Sequence, residues 1–200
     1  MASDPDRRDA VAALRRGSVV GIPTDTVYGL AVDPTVSGST DKVFAVKRRP
    51  PHLELPVLVG DVDQAESLAG SDGLPDLARR LAARFWPGPL TIVVERRRGL
   101  DWALGGDGRT IGLRVPAHAL ARLLCVEVGP LATTSANRHG EPPFTVAAQL
   151  ARAFGPELAV VLDGGVCDGA PSTVVDATGV GLRLLREGAI GWDDLQEALR

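Results

Sequence analysis

Ser18-Val19-Val20-Gly21-Ile22 is a short, mostly apolar run, and it passes directly into Pro23-Thr24-Asp25-Thr26-Val27-Tyr28-Gly29-Leu30. Such a run bounded by turn residues reads as a buried strand. Its end carries small hydroxyls, a carboxylate and a phenol, which can hydrogen-bond a small polar ligand, while Gly29 permits close backbone approach. A capped strand-to-loop turn would use the same residues, so this segment alone leaves both readings open.

Working outward, Asp4 is a candidate cap and Pro5 a first-turn residue for a helix. Its apolar face is Val11, Ala12 and Leu14, and Gly17 stops it. Further helices are predicted over 39–47, 61–69, 75–86, 116–124, 145–154 and 191–200. Strands are predicted over 56–60, 91–95, 110–115, 158–163, 173–177 and 182–186, and a further apolar strand at 131–137 runs into hydroxyls. The two types mix without the regular alternation of a doubly wound parallel sheet. The chain therefore reads as one α/β domain over 1–200, a twisted mixed β-sheet flanked by helices.

Composition narrows the function. Of 200 residues 44% are hydrophobic and 24% charged, and 22 basic against 25 acidic residues leave a net charge of −3. That balance argues against gripping nucleic acid by net charge, so weak or no direct tRNA or other nucleic-acid binding is expected. No apolar run approaches the ~18 residues of a membrane span, and the N-terminus has no apolar signal core. With Cys125 and Cys167 far apart and outside any ligand spacing, a reducing, cytoplasmic setting is expected. The 23 glycines and 15 prolines gather in short clusters, as tight turns do. Lys42 and Lys47 are the only lysines, Asn137 the only asparagine and Tyr28 the only tyrosine.

Phosphate loops, dinucleotide fingerprints, zinc motifs and nucleophile elbows are all missing from the sequence. His52, His118 and His139 show no ligand spacing, the cysteines read as inert thiols, and Arg96-Arg97-Arg98 reads as a solvated turn. Three further segments carry chemistry. Lys47-Arg48-Arg49 follows a helix, where cations either complement the dipole or, with Lys47 and Arg49 projecting the same way from an extended segment, clamp a phosphate or carboxylate. In Thr110-Ile111-Gly112-Leu113-Arg114-Val115, alternation puts Thr110, Gly112 and Arg114 on one face. An arginine there needs an acidic partner or an anionic ligand. Ser135 and Asn137 share a face at a strand end. Together these residues point to an anionic small ligand carrying phosphate.

In this order the motifs resemble those of the YrdC-like L-threonylcarbamoyladenylate synthases, over roughly 10–190. PTDTVYGL, the KxR of Lys47 to Arg49, FWPGPLT, IGLRVP, the SxN of Ser135 to Asn137, PSTVVD and a final Arg186 fall in the family's succession. The resemblance implies a twisted sheet around a large, positively lined cavity. It also implies a reaction of L-threonine, bicarbonate or CO2, and ATP to threonylcarbamoyl-adenylate and pyrophosphate, with Mg²⁺ on the ATP. The product would pass to a separate tRNA threonylcarbamoyl transferase complex. By resemblance Thr26, Arg114, Ser135 and Ser172 surround threonine, and Lys47, Arg49, Thr110, Asn137, Thr145 and Arg186 surround ATP, with Lys47 and Arg49 as catalytic cations. The family often has Pro-Leu and then a histidine where Glu54-Leu55 and Leu58 stand, and a polar nucleotide contact where Leu53 stands. A more apolar pocket is therefore expected here. The alternative is a nucleotide- or double-stranded-RNA-binding module of the same fold, or a related carbamoyl-adenylate handling enzyme.

Overall fold

The computed structural model describes residues 3–200. Seven helices are present among them: α1 (Asp4–Arg15), α2 (Ser39–Lys47), α3 (Val62–Leu68), α4 (Asp76–Phe85), α5 (Ala119–Val128), α6 (Ala147–Phe154) and α7 (Trp192–Glu197). The strands are β1 (Val20–Ile22), β2 (Gly29–Val32), β3 (Val57–Leu58), β4 (Leu90–Glu95), β5 (Thr110–Arg114), β6 (Leu131–Ser135), β7 (Val160–Val161), β8 (Thr173–Asp176) and β9 (Arg183–Arg186). All nine join one sheet in the order β7-β1-β2-β6-β3-β5-β4-β8-β9. The pairs β1–β7, β3–β5 and β4–β8 are parallel and the others antiparallel. The mixed sheet expected from the irregular alternation is the one observed.

Two local differences have simple causes. Ser3, not Asp4, caps α1: Asp6 N–H donates to Ser3 Oγ and Ser3 N–H donates to Asp6 Oδ2, so two orphan donors are satisfied reciprocally. The end of the polar turn at Gly29 and Leu30 opens β2, which pairs with β1 on one side and β6 on the other. Gly29 is required there, because a Cβ would lie 2.8 Å from Thr133 Cγ2.

The face of β5 that turns away from solvent fixes where its polar residues go. Ile111 and Leu113 are fully buried with Ile92 and Val94 of β4 in the larger core cluster. Burying each such side chain contributes about 1.5–3 kcal/mol. A one-residue slip would move all of them to the other face. Register Glu95↔Thr110, Val93↔Gly112 and Leu58↔Arg114 therefore sets Thr110, Gly112 and Arg114 along the opposite side. A second cluster, including Leu14, Ile22, Leu124 and Leu131, packs α1 and α5 on the sheet.

Candidate active site

The polar strand ends enclose a cavity of about 740 Å³, within the size range of small-ligand sites. Its wall takes Thr26 from the turn after β1, Arg49 after α2, Thr110 and Arg114 from β5, and Ser135 from β6. Ser172 just before β8 and Arg186 at the end of β9 complete it. Of the ten residues assigned by resemblance, these seven line one space. Lys47 and Asn137 lie directly behind the wall at Ser135, while Thr145 stands apart, with its carbonyl accepting from Cys167 N–H.

Arg114 is only 6% exposed. Its Nη2 donates to Asp25 Oδ1 at 2.7 Å, Nη1 to Thr26 Oγ1 at 3.2 Å and Nε to the Gly88 carbonyl at 3.0 Å. Asp25 is thus the acidic partner that an arginine on this strand face required. Asp25 Oδ1 also accepts from Ala117 N–H, while Oδ2 is buried without a partner. Burial pulls the Arg114 pKa down, the Asp25 charge opposes this, and Arg186 adds repulsion.

Two other guanidiniums have no such partner. Arg49 donates to the Leu53 and Glu54 carbonyls at 3.0 Å, and Arg186 to the Ser172 carbonyl and hydroxyl. Among the described residues neither forms an ion pair. Burial lowers the pKa of both, and Arg49 feels Arg186 as well. The cavity therefore carries uncompensated positive charge that an anion would neutralise.

Lys47 is buried, and its Nζ donates to Asn137 Oδ1 at 2.6 Å and the Ser135 carbonyl at 2.8 Å. Ser135 Oγ in turn donates to Asn137 Oδ1, so the KxR and SxN segments are locked together. Burial, helped by repulsion from Arg49, brings the Lys47 pKa to about 8. The expected extended segment is not what presents Lys47 and Arg49: Lys47 closes α2, and Arg48 reverses the chain in the left-handed region at φ 54°.

Two open or bland readings take definite form. Tyr28 spends its phenol on the scaffold, donating to the Gly165 carbonyl and accepting from Gly164 N–H. Arg96 is no solvated turn residue, for its Nη2 donates to the Leu100 and Trp102 carbonyls. Leu53 and Leu58 do line the cavity, yet Glu54 beside them brings in a carboxyl, so the wall is not simply more apolar. Asp25 and Glu54 were the residues that strand patterning did not single out. The signal for Asp25 was the demand of Arg114 for an acid, and Glu54 stood out only as a departure from the family's proline.

The sequence model of the Sua5/YciO/YrdC family, described as telomere recombination, matches residues 12–188. The chain belongs to this family. A threonylcarbamoyl-AMP synthase of Chromohalobacter salexigens is 43% identical over 171 residues, covering 84% of this chain and 90% of the relative. The crystal structure of Pyrococcus abyssi Sua5 complexed with L-threonine is 34% identical and superposes with a TM-score of 0.90. That match covers 96% of this chain and 57% of the archaeal chain, so this chain spans little more than half of it. The crystal structure of E. coli YciO shares the fold at a TM-score of 0.86 and 22% identity, over 97% of this chain and 96% of that one. Among the described residues no helix is long and apolar enough to cross a membrane.

Proposed function

We propose that this protein is an L-threonylcarbamoyladenylate synthase. What carries the reading is the set of cations on one cavity: Arg49 and Arg186 without ion-pair partners, and Arg114 balanced by Asp25 alone. Threonine carboxylate, carbamate and triphosphate would bring several negative charges to that space, and guanidiniums suit carboxylate and phosphate oxygens. The synthase names of relatives at 34–43% identity support the same assignment.

In this reading Arg114, with Thr26, Ser135 and Ser172, receives threonine, and Lys47, Arg49, Thr110, Asn137 and Arg186 serve ATP. CO2 adds to the threonine nitrogen, which loses a proton, giving a carbamate. A carbamate oxygen then bonds to the α-phosphorus as its bond to the bridging oxygen breaks, and pyrophosphate leaves. Such a transfer asks the protein for positioning and charge stabilisation rather than a nucleophile. Thr145, which the resemblance also assigns to ATP, is not among the residues that line the cavity. No cluster of three His, Cys, Asp or Glu suited to a metal occurs among the described residues. In this reading Mg²⁺ comes with the ATP phosphates as their counter-ion. The product would go, in the cytoplasm, to a separate transferase acting on tRNA.

The test is pyrophosphate release by the purified chain. Release that requires ATP, L-threonine and bicarbonate together, with threonylcarbamoyl-adenylate detected by mass, is the expected result. ATP hydrolysis indifferent to threonine would overturn the reading.

A further inference from the structure

Among the residues that line the cavity, Glu54 is a half-buried acid that forms no ion pair. Thr110 Oγ donates to Glu54 Oε2 at 3.0 Å, while Oε1 is enclosed with no partner at all. The Glu54 backbone carbonyl holds Arg49, but its carboxyl does not. The charged groups around it are Arg96, whose guanidinium is committed to the Leu100 and Trp102 carbonyls, and Asp107. The loop at Gly106 packs over it, where a Cβ would come within 3.2 Å of Glu54 Cβ. Burial raises its pKa to about 7 despite the Thr110 hydrogen bond. An acid kept in such a place costs stability, which calls for a use elsewhere.

A hydroxyl has one proton and two lone pairs. Because the Thr110 proton is taken by Glu54, Thr110 Oγ can only accept from whatever lies in the cavity beside it. We propose that Glu54 is a positioning residue for nucleotide recognition: it fixes the polarity of Thr110, so that Thr110 takes a hydrogen-bond donor of the nucleoside, an exocyclic amine or a sugar hydroxyl, and not a phosphate oxygen. This rests on the reading that Thr110 faces ATP. Without Glu54 the Thr110 hydroxyl rotates freely and serves donors and acceptors alike, so affinity falls modestly and discrimination collapses.

The experiment measures binding of ATP, ITP, 2′-deoxy-ATP and 3′-deoxy-ATP to wild type, Glu54→Leu, Thr110→Val and the double variant, all verified by cooperative unfolding. ITP replaces the exocyclic amine by a carbonyl, and each deoxynucleotide lacks one sugar hydroxyl, so the arms separate the two kinds of donor. Wild type is expected to prefer ATP over at least one analogue by about 10-fold or more, about 1.4 kcal/mol. Glu54→Leu should cut that preference below about 3-fold, and in the Thr110→Val background Glu54→Leu should change it no further, because the two act as one unit. Glu54→Gln, whose amide oxygen can still accept from Thr110, should restore part of the preference. The preference in wild type should also strengthen as pH rises from 6 to 8 and Glu54 ionises. Unchanged preference in Glu54→Leu, tighter ATP binding there (a carboxylate that merely repels phosphate), or equal effects with and without the Thr110 hydroxyl would each overturn the proposal while leaving the synthase reading intact. Wild type that binds no ATP would overturn both.

Discussion

Asp25→Asn isolates the charge that balances Arg114. The substitution keeps a side-chain oxygen for Ala117 N–H and one Arg114 N–H, but removes the carboxylate 2.7 Å from Nη2. The two side chains are 7% and 14% exposed, so water cannot take over the guanidinium's solvation. Breaking a buried pair by deleting one partner costs about 3–5 kcal/mol. Because Asn still accepts a hydrogen bond and Gly88 and Thr26 still hold the other nitrogens, the lower end applies, about 3 kcal/mol. For a chain of this size each kcal/mol moves the melting temperature by roughly 2–4 °C, so a drop of about 6–12 °C is expected. The assay is thermal unfolding at pH 7 of wild type, Asp25→Asn, Arg114→Ala and the double variant. Removing both charges should cost clearly less than the sum, because the double variant leaves no uncompensated cation. A ligand that binds only the native state at 100 times its Kd adds about 2.7 kcal/mol. If threonine carboxylate meets Arg114, threonine with bicarbonate should narrow the Asp25→Asn deficit. A melting point within 2 °C of wild type, or strictly additive costs, would refute this account of the pair.

Three further outcomes follow from the same geometry. Arg114→Ala should raise the threonine requirement steeply while ATP binding measured alone changes far less, and Arg114→Lys should rescue only partly, since an ammonium cannot make a bidentate carboxylate contact; equal losses toward both substrates would count against it. Lys47→Ala should cut pyrophosphate release about 10- to 150-fold, the equivalent of one charge-assisted hydrogen bond of about 1.5–3 kcal/mol, with unchanged turnover the contrary result. Glu54 has a folded pKa of about 7, above its unfolded value, so the folded chain binds the extra proton and stability falls as pH climbs from about 4.5 through 7. Glu54→Gln should therefore be more stable than wild type by about 1–3 kcal/mol at pH 8 and no more stable at pH 4.5 in denaturant titrations.

The parts of the site that were legible in the sequence are those governed by strand alternation. Thr110, Gly112 and Arg114 share a face because side chains alternate and because Ile111 and Leu113 are committed to the core. Ser135 and Asn137 converge for a different reason: both turn toward one buried ammonium, and the strand stops at Ser135. What was not legible depends on pairing between segments distant in sequence. Gly29 and Leu30 looked like the end of a turn, and only the neighbouring β6 makes them a strand. Lys47 and Arg49 looked like free ends beyond a helix, but the left-handed Arg48 and the SxN segment bury the lysine. Tyr28 sits in a turn that reads equally as a ligand contact or a scaffold element, and its phenol braces Gly164 and Gly165.

Net charge and the field inside the cavity are separate quantities. A formal charge of −3 describes the whole surface, whereas a ligand in the cavity meets the local field of Arg49, Arg114 and Arg186. Acids cancel that field only where they can reach it. Asp25 reaches Arg114, and Asp176 is held by Arg183 at the cavity edge. Among the described residues no carboxylate closes on Arg49 or Arg186, whose donors go to backbone carbonyls and the Ser172 hydroxyl. Carbonyls orient a guanidinium without neutralising it, so both remain free to meet an anion at little cost in reorganisation. Arg49 and Arg186 thus leave their charge uncancelled for the ligand, while Arg114 meets it already paired with Asp25.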